Sequence, residues 1–477
     1  MDAQFEVGEE HGNSKEESVK KKMWRESKKM WKVGGPAILV PFSTFGVHVV
    51  SQAFIGQLSA TNLAAYSLVC NVLFRFVLGI QLGMVGGMGT LCGQAYGAKQ
   101  YQKLGIFLQQ SWMILVAAST LLTPIFVFAA PILKALRQDH RIAEMAGTTT
   151  ALWFIPMMFL YAVLQCFNTF LQSQSKNFLL SCLVLLCLLL HVFASWLLTA
   201  KLELGVPGVM ASAVSAYLIP NAVQVVHLMC GGCRETWNGF TALAFRDLGP
   251  AIKLSLSSAA MLCLDFCYNI ILVLLTGNMK NAEVKIDALS ICLNISGWAA
   301  IISFGFMAAA SVRVSNELGR RDAKAAKFSI IVILVTSVFV GLVLSVFVLL
   351  FKQQVARVFT TDEDVAEAVS RLSPLLAFSL LLSSVQGVLA GVASGVGRQG
   401  SVAYINLGCY YLIGIPLGVV LGYVVLKQQV EGIWMGMMIG SAAQTAMLVI
   451  LTCKTDWNEQ PMWYYHVMDR LEDSFCY

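Results

Sequence analysis

Apolar residues in this chain come in long runs separated by short polar stretches. A run of about 20 predominantly apolar residues is long enough to cross a bilayer as a helix. Twelve such runs are predicted, near residues 33–56, 64–88, 105–130, 149–171, 178–200, 206–230, 249–276, 287–312, 328–350, 372–394, 402–425 and 431–452. The connections between them are short. The expected fold is therefore an all-α polytopic membrane protein with twelve transmembrane helices and no separate soluble domain.

Lysine and arginine set orientation when they sit in short loops. The N-terminal stretch carries Lys15, Lys20, Lys21, Lys22, Arg25, Lys28, Lys29 and Lys32. Loops after even-numbered runs add Lys99, Lys103, Lys176, Arg234, Arg246, Arg320, Arg321, Lys324, Lys327 and Arg398. The opposite loops hold fewer bases, offset by Asp139, Asp362, Glu363 and Asp364. Both termini are thus expected in the cytoplasm, with a basic tail that can touch anionic lipid.

The pattern also repeats, at a spacing near 220 residues. Gly35-Pro36-Ala37-Ile38 opens the first run and Gly249-Pro250-Ala251-Ile252 opens the seventh. Gly56 pairs with Gly277, Gly97 with Gly319, Leu164-Gln165 with Val385-Gln386, and Gly208-Val209 with Gly432-Ile433. Six runs per half is an even number, so both halves enter from the same side and the repeat is parallel. Two such lobes facing each other across a cavity is a transporter layout. The expected division is a basic tail over 1–30, an N-lobe over 31–231, a C-lobe over 232–453 and a tail over 454–477. Glycines four apart (Gly79, Gly83, Gly87; Gly387, Gly391, Gly395; Gly414, Gly418, Gly422; Gly432, Gly436, Gly440) predict helix faces where backbones approach closely. Pro36, Pro41, Pro156, Pro250 and Pro416 lie in or at the start of runs, as possible hinges.

Composition agrees with a lipid solvent. Of 477 residues 57% are apolar and only 13% charged, with a mean hydropathy of +0.69. A soluble domain is roughly 45–50% apolar and about 25% charged. A cytosolic enzyme, a nucleic-acid binder and a disordered chain are excluded. The 13 cysteines show no zinc-type spacing with histidine pairs, so no metal is expected. There is no GxSxG, HExxH or GxxxxGK[ST] motif. An enzyme is not expected, no cofactor is implied, and transport has to run on an ion gradient.

Ionisable residues at membrane depth are the main pointers to function. From Ser27 to Gln138 there is no Asp or Glu, although three runs lie there. Asp265 stands mid-way along the seventh run. Charged, it costs about 2.5–3.5 kcal/mol at the bilayer centre, so it is expected to pair, protonate or bind a cation. Asn269 lies one turn on, and Tyr268 beside it. Asp265, Asn269 and Tyr268 are the candidate cation-coupling set, for H+ or Na+. Gln165, His191, Asn294, Ser383, Gln386 and Tyr411 are candidates for lining a substrate cavity, with interhelical hydrogen bonding the competing role for each. His48 is a further histidine in an apolar run. Arg313 is expected to reach the cytoplasmic interface or cap a helix, and Arg75 to be an internal charge.

Four segments carry a family resemblance: TLCGQAYGAKQY (Thr90 to Tyr101), SVRVSNELG (Ser311 to Gly319), LAAYSL (Leu63 to Leu68) and GIWMGM…TDWNEQ (Gly432 to Gln460). They resemble plant members of the multidrug and toxic compound extrusion (MATE) family, the DETOXIFICATION proteins, over roughly residues 25–460. The resemblance implies a cation-coupled antiporter that exports organic cations, alkaloids, flavonoids or xenobiotics to the vacuole or the cell exterior. It also implies a multi-pass protein of the vacuolar or plasma membrane, with a small organic substrate and the lipid bilayer as partners. A monomer is expected, and no nucleic acid. Plant relatives usually have Glu where this chain has Asp265, in Cys263-Leu264-Asp265. Many place a second acid at the position of Ser383. Arg398, in Gly397-Arg398-Gln399, stands where a Trp is common. Two other activities fit the same architecture: a lipid-linked oligosaccharide flippase, which needs buried bases for pyrophosphate, and a membrane receptor or scaffold without transport.

Overall fold

The computed structural model describes residues 19–136, 138–277, 282–360, 362–426 and 429–457. Residues 1–18 and 458–477, most of the two expected tails and the end of the TDWNEQ segment, lie outside the described residues. Among the described residues, twelve helices are long and apolar enough to cross a membrane. They are α1 Lys20–Leu58, α2 Ala60–Gly97, α3 Tyr101–Val127, α4 His140–Ser173, α5 Phe178–Lys201, α6 Gly205–Met229, α7 Leu248–Leu272, α8 Asp287–Gly319, α9 Ala323–Leu350, α10 Glu363–Val396, α11 Gln399–Val425 and α12 Val430–Lys454.

Several helices extend beyond the apolar runs. Helix α1 starts at Lys20, inside the stretch expected as a tail, and α8 continues past residue 312 to Gly319. Hydropathy reads only the part of a helix that lipid covers, while backbone hydrogen bonding carries the helix on through polar residues. The ends are set by local chemistry instead. The Asp322 side chain accepts from the Ala325 amide at 2.8 Å and caps α9. Asp362 does the same for α10, accepting from the amides of Asp364 and Val365. Gly397, at φ +87°, closes α10 in the left-handed conformation, and the Arg398 amide then donates back to the Ala393 carbonyl at 2.8 Å.

An even number of spans brings both described ends to one face of the bundle, called here the terminal face. The connection between α6 and α7 lies on that face and is fastened to the first half. Gln109 of α3 bonds both Gly239 and Thr241, Gln110 donates to the Arg246 carbonyl, and Thr236 donates to Gln174 of α4. Trp237 is buried edge-on to Trp112 of α3. This connection therefore packs on the first half's core.

The halves meet along α2 and α7. These helices run antiparallel, and the glycine face of α2 lies on α7: Gly79 against Phe266, Gly83 against the Ala259 backbone, Gly87 against the Ser255 backbone. A Cβ on Gly83 would stand 2.5 Å from Ala259 Cα, so only glycine allows this approach. The second half has the same device where α10 lies on α8: Gly395 faces the backbone of Ser311. Nearer the terminal face, hydrogen bonds stitch the halves. Thr90 donates to the Ser394 carbonyl (2.6 Å), Gln399 to Thr90 (2.8 Å), Gln94 to the Gly395 carbonyl (3.2 Å) and Asn316 to the Ser173 carbonyl (3.1 Å). Toward the opposite face, Asn269 of α7 and Asn294 of α8 are exposed. Polar amides at that depth are costly against lipid, so a water-filled cleft beside α7 and α8 is expected there.

Candidate functional site

Asp265 sits on α7 about a turn before the exposed Asn269, and is itself half-buried. Its Oδ1 accepts a hydrogen bond from the Tyr410 phenol at 3.1 Å. Tyr410 comes from α11, in a stretch from Leu407 to Gly414 wound as a π-helix. A π turn inserts extra backbone and re-aims side chains relative to an α-helix, and such turns recur at functional sites. Here the stretch presents two consecutive tyrosines to α7. Tyr410 reaches the carboxylate, and Tyr411 donates to the Leu264 carbonyl at 3.1 Å.

Tyr268 contacts Tyr410 rather than the Asp265 carboxylate. The two rings stack with centroids 4.2 Å apart and planes 9° apart. The Tyr268 hydroxyl is committed elsewhere, donating to the Met437 carbonyl of α12 at 2.6 Å. Tyr268 thus anchors α7 to α12 and gives Tyr410 a flat wall to rest on. Asn269 is exposed, and its amide donates to the Asp265 backbone carbonyl at 3.0 Å rather than to the carboxylate.

One turn below Asp265 a polar chain crosses the second half. Gln386 of α10 donates to Gln444 of α12 at 3.0 Å and to the Ser441 carbonyl at 3.0 Å. Gln444 donates to Asn406 of α11 at 3.0 Å, and Asn406 to the Met261 carbonyl of α7 at 3.2 Å. Four helices are tied by these amides, and Met261 lies one helical turn from Asp265. Gln386 therefore helps hold the site's helices in place. Ser383 lies half-buried one turn away on α10, and Asn294 is exposed on α8.

The remaining two candidates belong to the first half. Gln165 is buried and donates to the Tyr161 hydroxyl at 2.9 Å. His191 is buried among serines, 2.8 Å from Ser212 Oγ and 3.2 Å from Ser51 Oγ. His48 likewise lies between the hydroxyls of Tyr66 (3.3 Å) and Tyr217 (3.1 Å). The nine candidates thus divide. Asp265, Tyr268, Asn269 and Tyr411 gather around one carboxylate, Gln386 supports them, Asn294 and Ser383 stand on neighbouring helices, Gln165 bonds within its own helix α4, and His191 links helices in the other half.

Charge inside the bundle is not confined to Asp265. Glu26, Arg313 and Glu317 are all buried near the terminal face. Contrary to the expectation from sequence, Arg313 is buried in an ion pair: its Nε donates to Glu26 Oε1 at 2.7 Å and its Nη2 to Glu317. Both acids fell outside the apolar runs, and only their pairing draws them in. Among the described residues no group of three or more His, Cys, Asp and Glu is placed to hold a metal ion. The Asp265 site is a single carboxylate among phenols.

The same architecture occurs in known proteins. A model of the MatE family matches the chain twice, over residues 36–197 and 258–420, two copies offset by about 220 residues. Protein DETOXIFICATION 20 of Arabidopsis thaliana is 54% identical over 442 residues, covering 93% of this chain and 90% of that protein. Protein DETOXIFICATION 22 of the same plant is 53% identical over 442 residues, covering 93% and 89%. The crystal structure of the eukaryotic MATE transporter AtDTX14 superposes with a TM-score of 0.87 at 30% identity, over 93% of this chain and 99% of that one. A doubled family repeat, relatives identical at half their positions and a shared twelve-helix fold lead to one conclusion: the chain belongs to the MatE family of multi-pass membrane transporters.

Proposed function

We propose that this protein is a secondary active efflux antiporter that couples entry of protons to export of small organic molecules by alternating access. The observation that carries the reading is the Asp265–Tyr410 pair, a carboxylate at mid-bundle beside the cleft, held by one phenol. In the proposed cycle Asp265 takes a proton from the far side of the membrane. A neutral acid no longer needs the Tyr410 donor as a charged one does, so helices α7 and α11 are free to change their packing and release substrate. A tenfold proton gradient supplies about 1.4 kcal/mol. Each charge adds about 2.3 kcal/mol per 100 mV of membrane potential.

The terminal face is proposed to be cytoplasmic, since Lys99, Lys103, Lys176, Arg234, Arg320 and Arg321 cluster in the loops of that side. The cleft then opens toward the vacuolar lumen or the cell exterior. The exposed Trp298 beside Phe42 and Phe45 offers aromatic surface to flat organic cations, alkaloids, flavonoids or other xenobiotics. The names of the relatives, DETOXIFICATION proteins, support that range.

The test uses purified protein in liposomes loaded with a fluorescent organic cation. A pH jump should drive uphill movement in the wild type. Asp265→Asn should abolish it while leaving the fold intact by circular dichroism. Uphill movement by Asp265→Asn sinks the reading, and movement driven by a Na+ jump alone would replace the proton with sodium.

A further inference from the structure

The ion pair near the terminal face joins elements of different halves. Glu26 lies near the start of α1, Arg313 and Glu317 lie on α8, and Ser329 lies on α9. Glu26 Oε1 accepts from both Arg313 Nε (2.7 Å) and Ser329 Oγ (2.7 Å). Glu26 Oε2 is 3.4 Å from Lys29 Nζ, and Glu317 is 3.3 Å from Arg320 Nη1. Met30, one turn on, is buried against Phe306, Ala310 and Ile330 of the second half. A few residues later α1 is held by the first half: Asn177 donates to the Val33 carbonyl and Ser181 to the Pro36 carbonyl. Helix α1 thus bridges the halves, with its first turns fixed to α8 and α9 by charge.

We propose that Glu26 and Arg313, steadied by Glu317, are positioning residues that act as a charged latch, closing the cleft at the terminal face and releasing when the halves part there. Bonds from Thr90, Gln94, Asn316 and Gln399 also cross between the halves in this region, and these involve neutral groups. The ion pair differs in kind. A buried pair gives back in desolvation much of what it gains in attraction, so its net contribution is small. When the face opens, water reaches all three charges and restores their hydration. Closed and open states are then nearly balanced, as a reversible latch requires, whereas an apolar plug would favour closure alone. The charge also confers specificity, because Glu26 finds its matching cation only when α1 and α8 are in register.

This inference rests on the alternating-access reading but is tested without transport. Spin labels at Lys176→Cys and Lys324→Cys, exposed on the terminal face in different halves, report its width in a cysteine-free background in nanodiscs. A second pair, Gln57→Cys and Gln353→Cys, reports the far face. Double electron–electron resonance on the full chain then gives both distance distributions. Glu26→Gln and Arg313→Met should each raise the ratio of long to short distances at the terminal face about tenfold, the size expected for one charged hydrogen bond, and shorten the far-face distance. The swap Glu26→Arg with Arg313→Glu, made together with Glu317→Gln so that the new carboxylate meets no like charge, should restore both distributions. Ser329→Ala, the mildest change, should give a smaller shift in the same direction if either charge variant is too unstable to reconstitute. Unchanged distributions in the single variants, or a swap that restores neither, overturn the latch. Failure of the antiporter reading looks different: distances respond as described while a pH jump drives no flux.

Discussion

The phenol of Tyr410 donates to Asp265 across 3.1 Å, from a π-wound stretch of one helix to the middle of another 145 residues away in sequence. Removing that donor while keeping the ring isolates its role. Tyr410→Phe retains the stack on Tyr268 and should slow proton-driven flux about tenfold or more, since a hydrogen bond to a charged group contributes about 1.5–3 kcal/mol. Tyr268→Phe loses the bond to Met437 but leaves the Asp265 contact, so it should lower thermal stability more than it lowers the initial rate. Equal rate losses in the two variants, measured in the same liposomes, would contradict this division.

The amide chain of the second half predicts a ranking. Gln444 is the central link, so Gln444→Leu leaves Asn406 Oδ1 without its donor and takes one of the two acceptors of Gln386, whose bond to the Ser441 carbonyl remains. Gln386→Leu strands only the Gln444 acceptor. Each stranded group costs about 1–3 kcal/mol. Thermal unfolding in detergent should place Gln444→Leu below Gln386→Leu, and the reverse order would show that the chain does not act as drawn.

His191 offers a clean coupling measurement. It stands 2.8 Å from Ser212 and 3.2 Å from Ser51. A double-mutant cycle of His191→Ala and Ser212→Ala should give a coupling of about 0.6–1.7 kcal/mol, the range for hydrogen bonds between membrane helices. If the histidine only stabilises, initial flux measured well below the melting temperature should stay near the wild-type rate. A loss of flux with unchanged stability would reassign it to the transport cycle.

Glycine positions on α1 and α2 predict opposite outcomes for one substitution. At Gly83 the new methyl meets the Ala259 backbone, which cannot move aside, so Gly83→Ala should cost about 1–3 kcal/mol. At Gly35 nothing lies within 4 Å, and Gly35→Ala should be neutral or stabilise by up to about 1 kcal/mol through helix propensity. Melting temperatures of the two variants check both.

The twelve helices and the doubled pattern were legible because they depend on what lipid demands of a chain and on an offset that many matches share. Asp265 was legible for the same reason, as an acid where acids are costly. Its partner was not. Tyr410 was one of several tyrosines in apolar runs, and only the π winding of α11 turns it to the carboxylate. Arg313 and Glu26 are 287 residues apart. Glu26 read as part of a polar tail, since hydropathy cannot tell a solvated acid from one buried by a bridging helix. Periodicity carries what a helix does alone; pairings that depend on how helices lie together are written in no local pattern.

The bare face of α2 on α7 has one more implication. An interface built from side chains can adjust by degrees, one rotamer at a time. Where backbone rests on backbone, as at Gly83 and Gly87, there is no side chain to fold aside and no intermediate fit. Such a joint has discrete settings, engaged or parted, like a detent in a ratchet. The halves of this transporter are thereby disposed to switch rather than drift.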